Sequence, residues 1–158
     1  MVRKITFLVL AFILIFVSIG LAAGTVTESI HKYSDGNRIM VKMTCVASSS
    51  DGTLPDTAFS TAAMNILTGN YKLYSVMTYP GGTAPTDATD LTLSMNGMDL
   101  LGAKGTNLID ATTTESTFPY SVGMGLYRFP VITNTLTQAI TNQAVHSATF
   151  TIEYVFEK

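Results

Sequence analysis

The sequence predicts an all-β domain, an antiparallel β-sandwich or jelly roll of about seven to eight strands. Three observations carry that prediction. The chain after its N-terminal segment is rich in Thr and poor in Lys and Glu, a composition that favours pleated strands over helices. Apolar residues alternate with polar ones over several short runs. Gly-, Asn-, Asp- and Pro-containing breaks separate those runs at short intervals.

Residues 25–33 predict a first strand with Val26 and Ile30 on one face, closed by the turn Ser34-Asp35-Gly36-Asn37. Residues 38–47 predict a second. There Ile39, Val41, Met43 and Cys45 alternate with Met40, Lys42 and Thr44. SSSDGT at 48–53 is a polar loop. In 54–68 Phe59, Ala62, Ala63, Ile66 and Leu67 fit a helical face, yet threonines interrupt it, and the expectation is an extended segment with one helical turn. Residues 71–79 predict a strand stopped by Pro80-Gly81-Gly82.

The strongest local signal is Asn96-Gly97, between Leu91, Leu93 and Met95 on one side and Met98 and Leu100 on the other. A type I′ turn needs positive φ at both central residues, and Asn-Gly supplies it. Met95 then faces Met98 and Leu93 faces Leu100, all four on one face. Residues 102–107 form a loop, and 118–131, containing Gly123 and Gly125, read as surface loop or short edge strand. Residues 135–141 form a strand with Leu136 and Ile140 inward. Residues 148–157 show the cleanest alternation: Phe150, Ile152, Tyr154 and Phe156 face one way, Thr149, Thr151, Glu153 and Glu157 the other. If that last strand lay at a sheet edge, it would pair with a neighbouring chain by strand addition, which makes Phe150, Ile152, Tyr154 and Phe156 interaction candidates.

Arg3 and Lys4 precede an uncharged run over 5–27 that ends in small residues at Gly20, Ala22, Ala23 and Gly24. A positive n-region, an apolar h-region and small residues describe a signal peptide over 1–23. A membrane anchor is the alternative, since roughly 18 uncharged residues can cross a bilayer. Either reading places 24–158, as a single sandwich domain, outside the cytoplasm: periplasmic, extracellular or on a virion surface. Without Arg3 and Lys4 the nine basic residues become seven against eleven acidic, a net charge of −4. That balance gives no footprint for nucleic acid, and it leaves the N-terminal segment as the only expected contact with a membrane.

No residue pattern specifies a cofactor or a catalytic constellation. His31 and His146 are the only histidines, far apart and outside any nucleophile motif. Asp87, Asp90 and Asp99 are weak Ca²⁺ candidates. Their spacing is not that of an EF-hand, and solvated turn residues are the other reading. Gly81-Gly82 lacks the lysine and helix start of a phosphate loop. Tyr71, Tyr74 and Tyr79 either form an aromatic patch or are half-buried strand positions. Cys45, the single cysteine, reads as a small buried hydrophobe, with an intermolecular disulfide or a reactive thiol as the alternative.

The order YSVMTYPGGTAPTDATDLTLSMNGMDLLGAKGTNLID, followed by FPVITNTLTQAITNQAVHSATFTIEYVFE, resembles a group of small bacteriophage structural proteins. The shared pattern is a strand leading to PGG and APT, a hairpin with alternating apolar residues, and a closing strand pair. The resemblance implies a virion component, akin to a capsid decoration or surface β-domain, and a non-enzymatic role. Its expected partners are copies of itself or a larger particle. A second expectation, drawn from the loop Tyr and Asp residues, is an exported binding module for carbohydrate or another surface ligand.

Overall fold

The computed structural model describes residues 23–158. The strands are β1 (Thr25–Lys32), β2 (Arg38–Val46), β3 (Thr57–Ala58), β4 (Lys72–Pro80), β5 (Asp90–Met95), β6 (Met98–Asp99), β7 (Glu115–Thr117), β8 (Tyr120–Ser121), β9 (Leu126–Tyr127), β10 (Leu136–Thr141) and β11 (Thr149–Glu157). One helix, α1 (Thr61–Leu67), follows β3, and a 3-10 turn covers Gly102–Gly105. Sheet one has the order β1-β2-β11-β4-β7 and sheet two β3-β10-β5-β6, while β8 and β9 form a separate ribbon. All pairing is antiparallel. The fold is therefore all-β, as the alternation predicts. The eleven strands of the described residues exceed the seven to eight expected because strands of two or three residues carry no periodicity to read.

The two sheets face each other across one core. Ile39, Val41, Met43 and Cys45 of β2 point into it, as do Phe150, Ile152, Tyr154 and Phe156 of β11. From sheet two come Leu91, Leu93 and Met95 of β5 and Leu136 and Ile140 of β10. Phe59 bridges the layers, edge-on to Tyr154 at 5.1 Å and to Phe156 at 6.3 Å between ring centroids.

β11 lies at the centre of sheet one, paired with β2 on one side and β4 on the other over most of its length. The edge-strand alternative is thus overturned. Phe150, Ile152, Tyr154 and Phe156 are core residues, each almost wholly buried, and offer nothing to a neighbouring chain. A strand's position within a sheet follows from long-range pairing that its own alternation does not encode. Proline at Thr151 is accordingly expected to unfold the domain.

The segment 54–68 also departs from expectation. Ser60 caps a two-turn helix, its Oγ accepting from Ala63 N at 3.2 Å, and Ala63, Met64 and Leu67 are buried. Ser60 is itself held from across the sandwich edge, because its N–H and its hydroxyl both donate to the Glu28 carboxylate of β1.

The Asn96-Gly97 turn has the expected form, with φ of 53° and 75°, Met95 opposite Met98, and Ser94 opposite Asp99. Met98, however, is 57% exposed, because β6 is two residues long and ends the sheet beyond the cover of the opposite layer. Among the described residues no atom beyond its chain neighbours lies within 4 Å of where a Gly97 Cβ would sit. Gly97→Val is therefore a pure test of backbone strain. It should lower stability by about 1 kcal/mol or more in thermal melting, and an unchanged melting temperature would contradict the I′ turn.

The loop after β2 is tied by Asp51. The Ser48 hydroxyl, then the Thr53 N–H and hydroxyl, hold its carboxyl down from 3.8 to about 2. A depressed folded-state pKa stabilises the fold above the unfolded value, and that contribution is lost as pH falls through the folded value. Wild type should lose melting temperature between pH 4 and 2, and Asp51→Asn should lose less over that window.

The expected export or anchor segment, 1–23, falls almost wholly outside the described residues.

Candidate interaction surface

The feature that distinguishes the surface is built from 118–131. Tyr120 pairs with Tyr127 and Ser121 with Leu126 across a turn closed by Gly125, whose N–H donates to Ser121 O at 2.9 Å. Main-chain bonds fasten both ends of the ribbon. Tyr120 N donates to Leu100 O at 3.1 Å, Arg128 N to Pro119 O at 3.0 Å and Leu73 N to Pro130 O at 3.1 Å. Gly102, at φ 55°, lets the 3-10 turn pass so close to the Tyr120 carbonyl that a Cβ there would press on it at 2.9 Å.

β4 adds one more ring. Its register with β11 steps between Val155 and Phe156, from Ser75 to Leu73, so Tyr74 is the extra residue. This bulge lets Leu73 and Val76 both enter the core and turns Tyr74 outward. Tyr74 stacks on Phe129 at 5.4 Å and meets Phe118 edge-on at 5.7 Å. Phe118 in turn meets Tyr127 at 6.2 Å, and Tyr127 meets Tyr120 at 5.4 Å. Lys104 caps the end of this row, its Nζ 5.2 Å from the Tyr120 centroid. Tyr74, Phe118, Tyr127 and Phe129 are each more than a third exposed, as are Val122, Met124, Leu126 and Val131 around them.

Behind the ribbon, between it and β5–β6, lies a groove of about 870 Å³. Met95, Met98, Val122 and Val131 give it an apolar lining, while Asp99, Tyr120 and Arg128 supply polar groups. Burial raises the Asp99 carboxyl above its ordinary value, against the N–H of Leu101, which donates to it at 3.0 Å.

The Ca²⁺ candidates do not gather. Asp90 and Asp99 line the groove and Asp87 does not, and among the described residues no three His, Cys, Asp or Glu side chains form a metal-holding group. Asp87 and Asp99 each hold their own turn, while Asp90 ties two remote loops to β5. Ala88 N donates to Asp87, Asn107 N and Asn142 Nδ2 donate to Asp90, and Leu101 N to Asp99. His31 is exposed on β1 near the turn into β2. His146 is exposed in the loop that bonds Ser48 at the opposite end of that strand pair, so the two do not meet. Of the three tyrosines, Tyr71 is buried, Tyr79 lies on the sheet face beside Met77, and only Tyr74 joins the aromatic row.

Cys45 is buried in the core, where desolvation pushes its thiol up to about 12. It is expected to resist thiol reagents at pH 8 and to react fully only in denaturant. Rapid labelling of the folded protein would contradict this.

Strand alternation does not reveal the aromatic surface. Its signal in the sequence is a loop that breaks the usual composition: 118–131 carries one charge, Arg128, and two Phe-Pro steps that bracket an apolar tip. Comparison of the chain with protein-family models, with curated proteins and with solved structures gives no match.

Proposed function

We propose that this chain is a non-enzymatic structural protein that assembles with copies of itself, or on a larger particle, through the ribbon of residues 118–131 and Tyr74. The carrying observation is the continuous row of exposed aromatic rings flanked by exposed aliphatic side chains. Contiguous exposed apolar surface marks an interaction site. Aromatic and methionine side chains are the residue types that interfaces concentrate. The main-chain bonds at the base of the ribbon hold it before contact, so little ordering is lost on docking. Arg3, Lys4 and the apolar run after them support a place at a virion or cell surface, reached by export or held by an anchor. The resemblance to phage structural proteins supports the virion.

Sedimentation of the full chain tests the reading. Wild type should run as a large species. Tyr127→Ser with Phe129→Ser, both exposed, should run as a folded monomer or, at most, a dimer. A monomeric wild type that binds no particle would contradict the proposal.

The groove favours a second reading, an exported binding module whose Tyr120, Asp99 and Arg128 meet a carbohydrate or another surface ligand. Glycan-array binding lost in Tyr120→Ala would support it, and the assembly reading predicts no such binding.

A further inference from the structure

Among the described residues the two sheets have four edges, and three of them are short. β3 and β6 are two residues long and β7 is three. Short edges are one way natural proteins prevent unwanted strand pairing. The fourth edge is β1, eight residues of continuous register with β2, without proline or bulge. Among the described residues no main-chain bond reaches its outer side.

Two charges of opposite sign stand at inward-facing positions of this edge. Val26, Glu28, Ile30 and Lys32 share the inner face, and Glu28 is partly buried beside Ser60. An inward charge repels most incoming strands. A second copy of β1, arriving antiparallel about a two-fold axis, answers it in one register. Residues opposite each other across an antiparallel pair lie on the same face. With Ile30 on the axis, Glu28 faces Lys32 of the second copy, and Lys32 faces its Glu28. Moving the register by two residues sets Glu28 or Lys32 against Ile30, and by four sets Glu28 against Glu28 or Lys32 against Lys32. Charge therefore selects one pairing and disfavours its neighbours.

We infer that β1 is a self-complementary docking edge, at which two copies join their five-stranded sheets across an Ile30–Ile30 axis. Main-chain bonds supply the affinity, and the two Glu28–Lys32 pairs supply the register. β1 and the aromatic row, whose Tyr74 lies beside β7, occupy opposite edges of sheet one. Contacts at both would propagate a string of subunits. This deepens the assembly reading by naming one partner as a second copy, but it rests on the β1 edge and not on the ribbon.

In the inferred register Ser29 lies opposite His31 on the outer face, within reach of a disulfide, whereas Ser29 and its own counterpart are two residues out of step. The test is co-expression of full-length Ser29→Cys and His31→Cys chains, in a protein whose native thiol is buried. The expected result is a disulfide between the two variants and little within either alone. Adding Lys32→Glu, at an exposed position, should abolish that cross-link with the far-ultraviolet spectrum unchanged. The cross-link should persist in the Tyr127→Ser/Phe129→Ser background, where the species falls to a dimer. Folded variants without the mixed disulfide, or homodisulfides formed as readily, would overturn the inference. If such variants still sediment as a large species, the ribbon reading stands without it. If the mixed dimer forms but nothing larger does, the β1 edge stands and the ribbon reading fails.

Discussion

Phe156→Ala is expected to remove about 3–5 kcal/mol of stability, the usual cost of the lost burial and the cavity left by a core aromatic. Phe156 is fully buried, meets the ring of Phe59, and lies in the strand paired on both sides within sheet one. The surrounding backbone has little freedom to collapse into the space, because both neighbouring ladders would have to shift. With total stabilities of about 5–15 kcal/mol for domains, such a loss is a large share. The denaturation midpoint should fall while the oligomeric state below the transition stays unchanged. A change in assembly without a change in midpoint would return β11 to the surface and contradict its central place.

Gln138→Leu should cost about 1–3 kcal/mol, for a different reason. Gln138 is fully buried between the sheets, where its Oε1 accepts from the Tyr154 hydroxyl at 2.8 Å. Among the described residues its Nε2 has no hydrogen-bond partner. Leucine fills the volume but leaves the buried Tyr154 hydroxyl unpaired. Tyr154→Phe alone removes the hydroxyl and leaves Gln138 without its bond. The double variant removes both polar partners and should recover most of the loss, since replacing a buried pair by apolar groups of similar shape is close to neutral. Additive losses in the double variant would mean that the pair is not coupled.

These residues also show how far the sequence was legible. Alternation identified β2 and β11, inner faces included, because a two-residue period reports which side chains share a face. Asn96-Gly97 identified its turn through the φ values the pair tolerates. The same pattern could not place β11 between β2 and β4, because strand order is set by contacts remote in sequence. Nor could it separate Met98 from Met95, which are paired but differ in what covers them. Gln138 falls at an inward position of β10, where a polar residue breaks the apolar rule in favour of a bond to β11. Helix α1 was obscured by the threonines in its segment, although the Ser60 cap was present to be read. The ribbon was only half legible. Its surface position follows from glycine and proline, but the row of rings depends on Tyr74, brought there by a bulge far earlier in the chain.

The proposed assembly of this sandwich through the aromatic ribbon is tested most directly by electron-microscopic imaging of the chain isolated from its native source. The expected image shows repeated subunits with residues 118–131 and Tyr74 buried at a contact, either between copies or against the particle. Isolated single subunits, or an ordered array in which that ribbon faces open solvent at every subunit, would contradict it.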